Sequence, residues 1–184
     1  LLSGKKINDI AKEDRQAAKA VNFGLIYGMG AETLSDYSFE SYGVKLTKTE
    51  AERFRKTFFR SYQGIATWHK SLKQKNLPLV RTIGGRLRKW KSVPAIPQLA
   101  NSPVQGTGAD ILKTALVLLA PRLDPVQGKI IAVVHDEVVI ECPQQYKDDA
   151  AAIIKAALEE AGQQFLRVVP VQVDVNICTN WAEK

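Results

Sequence analysis

Two cysteines, two histidines and one methionine are all that 184 residues hold of the soft and borderline metal ligands. Cys142 and Cys178 are too few and too far apart for a disulfide framework or a structural zinc site, so a reducing compartment is the natural setting. No apolar run approaches the length needed to span a bilayer, and the N-terminus lacks the organisation of a signal peptide. Repeats and low-complexity tracts are missing as well, which excludes solenoids and compositionally disordered segments. Acidic residues are scarce in the first half. Residues 1–92 carry nineteen Lys and Arg against eight Asp and Glu, whereas residues 93–184 carry seven against eleven. A composition of 45% hydrophobic and 24% charged residues is that of a globular protein. A basic half beside an acidic half suits a polyanionic partner and a site that needs carboxylates, for instance to hold a metal. The chain opens on Leu-Leu-Ser-Gly without an initiator Met, and is expected to be a piece of something longer.

What is present falls into elements of two periods. A first helix is predicted over residues 12–27, stopped by Gly28 and Gly30, and a second over 31–42, stopped by Gly43. Thr47-Lys-Thr-Glu50 is a capping box. It opens a long helical stretch on which Phe54, Phe58, Tyr62 and Ile65 share a face, with a break near Gly64. The period then changes: residues 79–83 and 86–90 flank Gly84-Gly85, the signal of a two-residue hairpin turn. Residues 98–120 read as a helix disrupted early by Pro103, with Ala109, Leu112, Leu116 and Leu119 as its buried stripe. Residues 129–134 and 137–142 read as strands meeting at His135-Asp136, and 145–165 as an amphipathic helix. The alternation over 171–177 predicts a final strand with one buried face. The class is α+β with an antiparallel sheet.

Four groups of residues could carry chemistry. Arg15, Lys19, Phe23 and Tyr27 recur every four residues and form one slowly drifting row on a helix. A triphosphate uses Arg as a bidentate clamp and Lys as a mobile point charge, and a sugar or base can meet an aromatic face a turn further on. The competing reading is a solvated charged end and a core-facing aromatic end. Turns commonly carry Asp, so an Asp at the tip His135-Asp136-Glu137 is uninformative by itself; the lack of the Gly or Asn that tight turns favour points toward residues chosen for something else. A carboxylate on a rigid hairpin is well placed to bind Mg²⁺. In Asn101-Ser-Pro-Val-Gln-Gly-Thr107, the Asn101 and Gln105 amides can read minor-groove acceptors or merely cap a helix. Residues 81–91 hold five cations and no acid around Trp90, either a solvated face or a track for a nucleic-acid backbone.

Together these residues resemble family A DNA polymerases, the bacterial DNA polymerase I type. The Arg15-to-Gly28 pattern is similar to that family's nucleotide-binding fingers helix, and Val134-His-Asp-Glu-Val138 to its second catalytic-carboxylate motif in the palm. Thr82-Ile-Gly-Gly-Arg86, the stretch from Asn101 to Asp110 (NSPVQGTGAD) and Asn180-Trp181 follow in the family's order. The resemblance implies a fragment of a right-hand polymerase fold, with helical fingers over 1–76 and the C-terminal part of the palm over 77–184. It implies DNA-directed DNA polymerisation by two-metal phosphoryl transfer: one Mg²⁺ activates the primer 3′-hydroxyl and the other stabilises the leaving pyrophosphate. Arg15 and Lys19 would hold the triphosphate of a dNTP, with Lys19 also the general acid. Phe23 would pack on the sugar, where Phe goes with discrimination against dideoxynucleotides and Tyr with their acceptance. Tyr27 would close the helix against the nascent pair. Asn101, Gln105 and Arg86 would contact primer-template DNA, and His135 would support the primer end. Asp136 would be the metal ligand, with Glu137 a secondary catalytic carboxylate. The implied location is the cytoplasm of a bacterial or phage-infected cell, with no membrane association.

The sequence also departs from the family. The first catalytic Asp and the thumb are expected upstream, as a segment or partner that completes the enzyme. The connection over 89–98 is short, and Pro97 stands where many members carry an Arg. Single-subunit RNA polymerases share much of the pattern but carry Met where Phe23 stands and Ser where Glu137 stands. The alternative from another class is a non-catalytic nucleic-acid-binding module derived from a polymerase. A metal-dependent nuclease is disfavoured, because no second acidic cluster of matching character is present.

Overall fold

The computed structural model describes residues 6–183. They form two compact units, one from the residues up to Val80 with Leu87–Pro103, the other from Arg81–Arg86 with the residues from Val104 on. Six α-helices and two antiparallel two-stranded sheets make the class α+β.

In the first unit, α1 (Lys12–Ile26), α2 (Ala31–Tyr42) and α3 (Lys48–Ser61) enclose a core of Val21, Leu25, Leu34, Ala51 and Phe58. Close approach of α1 and α2 depends on Gly24, where a Cβ would lie 2.6 Å from Leu34 Cδ1. Helix α1 ends where Gly28 turns to φ +81°. Helix α2 ends at Gly43, with φ +66° and its N–H donated to the Phe39 carbonyl at 2.9 Å. The capping box starts α3: Glu50 N–H donates to Thr47 Oγ1 at 3.2 Å, and Thr47 N–H to Glu50 Oε2 at 2.9 Å. The break expected near Gly64 falls at Tyr62, two residues earlier. Tyr62 packs its ring 4.8 Å from that of Phe58 and leaves helical geometry at φ −111°, ψ 66°. Gly64 stays helical inside α4 (Gln63–Lys75).

Strands β1 (Leu79–Arg81) and β2 (Leu87–Lys89) pair as a hairpin. Its loop has three residues, not the expected two. Thr82 N–H donates to the Arg86 carbonyl at 3.0 Å, Gly85 N–H to the Thr82 carbonyl at 3.0 Å, and only Gly85 takes positive φ, at +87°. A primed two-residue turn would require positive φ at Gly84. Helix α5 (Ile96–Arg122) runs unbroken through Pro103. A proline there forfeits one backbone bond, but buried Leu99 and Ala100 before it and Thr107 after it keep the helix packed on both sides. The buried stripe of α5 is Ala115 and Leu119, continued just past its end by Leu123; Ala109, Leu112 and Leu116 flank it half-buried.

In the second unit, Leu119, Leu123 and Val126 meet Ala150, Ile154 and Ala157 of α6 (Lys147–Phe165). Strands β3 (Lys129–Val134) and β4 (Glu137–Glu141) pair antiparallel from Lys129↔Glu141 to Val134↔Glu137, with a bulge between Ile130 and Ala132. Ile130, Val138 and Ile140 pack on that core. The strand expected over 171–177 does not form among the described residues. Its alternation holds as far as Val175: Val171, Val173 and Val175 are half-buried and Gln172, Asp174 and Asn176 exposed, but Ile177 is exposed as well. Val171 presses on Gly162 of α6, where a Cβ would come within 2.4 Å of Val171 Cγ2, and Val175 packs on the core. An extended segment lying on a helix buries one face without any ladder of hydrogen bonds, and so carries the same period of two.

Candidate functional site

Helix α1 buries Ala20, Val21, Gly24 and Leu25. At about 100° per residue, Arg15, Lys19 and Phe23 fall on the far side of the helix from that face. Arg15 and Lys19 are exposed, Phe23 is 48% exposed and Tyr27 is half-buried. Phe23 is therefore not a core residue. Neither Arg15 nor Lys19 has a side-chain ion pair among the described residues, so both cations are available to an outside anion. Beside Tyr27 stands Tyr37, whose phenol is pushed up to about 12, chiefly by burial and then by its hydrogen bond to Tyr42. The end of the helix is tied down by His69, which is 7% exposed and donates from Nε2 to the Ile26 carbonyl at 2.8 Å. Burial pulls this imidazole below its usual range, so the ring is a neutral donor at pH 7. A Cβ on Gly28 would lie 2.9 Å from Ile96 Cγ2 and 3.3 Å from His69 Cε1, so this end of α1 is tightly packed.

The β3–β4 tip is a two-residue turn in which His135 takes φ +57° and Asp136 does not take positive φ. Glycine is the residue that adopts such a position without strain. A histidine held there, next to an exposed aspartate, is the kind of local conflict that function tolerates. His135 and Asp136 are exposed, and Glu137 is half-buried at the first pair of β4.

Asn101 and Gln105 are both exposed on α5. Arg86 differs from the other expected DNA contacts. Its Nε donates to Asp110 Oδ1 at 2.7 Å and its Nη2 to the Gly106 carbonyl at 2.8 Å. Within the same cationic run, Arg88 donates to Ser102 Oγ at 3.0 Å and stacks over Trp90, and Arg81 donates to the Gly85 carbonyl at 2.9 Å. The run is thus in large part internally bonded. Reading the sequence left Asp110 and Gly106 without a role. The available signal was a lone acid in the NSPVQGTGAD stretch and a cation-rich hairpin with no acid of its own.

Among the described residues, no three His, Cys, Asp or Glu side chains converge as a metal cage. The hairpin tip offers one exposed carboxylate and a second beside it. That suits Mg²⁺, which is commonly held by one or two carboxylates together with substrate phosphates. Among the described residues no helix is long and apolar enough to cross a membrane.

The first unit by itself presents an exposed cationic row on α1, and the second an exposed carboxylate at the β3–β4 tip. The family model for DNA polymerase family A matches residues 1–183, and the chain belongs to that family. It is 38% identical to DNA polymerase I of Aquifex aeolicus over 98% of this chain and 32% of that protein. It is 37% identical to the thermostable DNA polymerase I of Thermus filiformis over 92% of this chain and 20% of that protein. The chain therefore spans a third or less of the length of these relatives. The fold is similar to the solved POL domain of Pol1 from M. smegmatis in complex with DNA primer-template and dNTP. The TM-score is 0.74 at 22% identity, over 87% of this chain and 30% of that one.

Proposed function

We propose that this chain is the fingers segment (1–76) and the C-terminal palm segment (77–184) of a DNA-directed DNA polymerase that adds dNTPs to a primer 3′-hydroxyl. The observation that carries the reading is the row on α1. Arg15, Lys19 and Phe23 lie in family order on the face turned away from the core, with both cations unpaired among the described residues. In this reading Arg15 clamps the triphosphate and Lys19 holds a proton at Nζ for the leaving pyrophosphate. Phe23 packs on the sugar, and Tyr27 closes the end of the nucleotide site. Asp136 and Glu137 supply the carboxylates that hold Mg²⁺, His135 supports the primer end, and Asn101 and Gln105 contact primer-template DNA. Mg²⁺, when bound, supplies charge stabilisation to the phosphoryl group and acidity to the primer hydroxyl. The first catalytic carboxylate and the thumb come from an upstream segment. A cytoplasmic location accords with the bacterial DNA polymerase I relatives.

The test is Asp136→Asn in the polymerase completed with its upstream segment. Template-dependent extension should fall by at least three orders of magnitude while primer-template affinity changes less than threefold. The substitution removes a metal ligand and no phosphate contact. Parallel loss of DNA binding would make the hairpin a structural element instead.

A further inference from the structure

The tip of the β1–β2 hairpin is bonded to α5 through a compact set of contacts within the second unit. Besides the two Arg86 bonds to Asp110 and Gly106, Ile83 N–H donates to Thr107 Oγ1 at 3.1 Å, and Arg86 N–H donates to Thr82 Oγ1 at 3.0 Å. The surfaces fit without slack. A Cβ on Gly106 would lie 2.5 Å from Thr82 Cγ2, and one on Gly84 would lie 2.9 Å from Phe165 Cε1 and 3.2 Å from Asp110 Oδ2. Asp110 Oδ2 is itself buried with no hydrogen-bond partner, so Arg86 is the one cation compensating this carboxylate among the described residues.

We infer that Arg86 is a positioning residue that acts through Gln105, locking the hairpin tip to α5 in place of binding a DNA phosphate itself. Gly106, Thr107 and Asp110 occupy one side of a helical turn, and three separate bonds to that side fix the roll of α5 about its axis. Gln105, next in sequence to Gly106 and exposed, leaves the helix in the direction that this roll allows. The planar guanidinium is what makes the lock. It reaches a carboxylate and a carbonyl at once, which an ammonium on a flexible stem does not reproduce. This inference rests on Gln105 contacting DNA as proposed above.

The experiment uses the 184-residue chain and a primer-template duplex of mixed sequence, with Arg86→Lys, Asp110→Asn, Gln105→Ala and the Arg86→Lys/Gln105→Ala double variant. Amide exchange is read first, without DNA. Both Arg86→Lys and Asp110→Asn should speed exchange at the Ile83 and Arg86 amides at least tenfold. Unchanged exchange overturns the lock. DNA affinity is then read against salt. Arg86→Lys and Asp110→Asn should each weaken binding about tenfold, with the slope of log K against log salt unchanged. The double variant should be no weaker than Gln105→Ala alone.

If Arg86 is a phosphate contact, Arg86→Lys keeps its affinity and Asp110→Asn keeps or gains it, and the inference fails. If both variants merely lower Tm while DNA affinity stays at the wild-type value, the positioning role fails. Absence of salt-dependent DNA binding by the wild-type chain overturns the positioning role, whereas the proposed function stands or falls on the Asp136→Asn test in the completed polymerase. The exchange measurement then still decides whether the lock exists.

Discussion

Phe23 separates the two readings of the α1 row, because a core aromatic and a ligand-facing aromatic demand opposite exposures. At 48% exposure it has little packing to lose, so Phe23→Tyr should change unfolding free energy by less than about 0.5 kcal/mol. Under the proposed role of Phe23, the added hydroxyl would stand near the 3′ carbon of the incoming sugar in the completed polymerase. It should raise the ratio of dideoxynucleotide to dNTP incorporation in a competition assay while normal extension persists. An unchanged ratio in an active variant would place the sugar elsewhere. His69, at the other end of the row, yields a pH prediction. Burial depresses its pKa in the folded chain below the roughly 6.5 of an unfolded histidine. The unfolded chain then binds more protons in the interval between the two values, so stability rises with pH there. The contribution is complete above about pH 6.5 and is lost as pH falls through the folded value. Urea midpoints at pH 7.5 and 5.5 should differ more for the wild type than for His69→Gln; equal differences would remove His69 as the cause.

Two glycines in helices have opposite meanings at the level of the element. Gly24 of α1 leaves no room for a Cβ against α2, with Leu34 Cδ1 at 2.6 Å from the position of a Cβ. Gly64 lies in α4 with open space around it. Gly24→Ala should therefore destabilise the chain by about 1–3 kcal/mol through overpacking. Gly64→Ala should stabilise it by up to about 1 kcal/mol through helix propensity alone. Urea denaturation of the two variants checks both signs. A neutral Gly24→Ala would show that α1 and α2 separate at little cost, and the rigidity of the α1 row would then have another origin.

For the whole molecule, the excess cations in residues 1–92 set the expected behaviour toward DNA. Binding of duplex DNA by the 184-residue chain should be weak, independent of sequence and steeply dependent on salt, as counterion release requires. A titration at several salt concentrations checks this, and a flat response would contradict the electrostatic account. The same chain should show no template-dependent extension with Mg²⁺ and dNTPs, since the proposed two-metal mechanism needs two palm aspartates and Asp136 is one. Robust extension by the homogeneous chain would mean that Asp136 and Glu137 suffice, and the need for an upstream carboxylate would fall away.

Features carried by local chemistry were legible in the amino-acid order. Gly43 as a left-handed cap, Thr47 and Glu50 as a capping box, and His135-Asp136 as the joint between two β-branched runs each follow from residues within one turn of each other. The α1 row was legible for the same reason, since a four-residue interval is all that a helix needs to align side chains. Pairing across the chain was decided only by tertiary structure. The valines at 171, 173 and 175 announce one buried face, but whether that face meets a strand or a helix depends on Gly162 and the core of α6. Arg86 announces a cation, and only the fold brings Asp110, twenty-four residues away, to 2.7 Å from its Nε. Pro103 announces a break that packing on either side overrides. Local periodicity specifies which face of an element is apolar. The partner that covers that face, or neutralises its charge, is chosen by the free energy of the assembled chain.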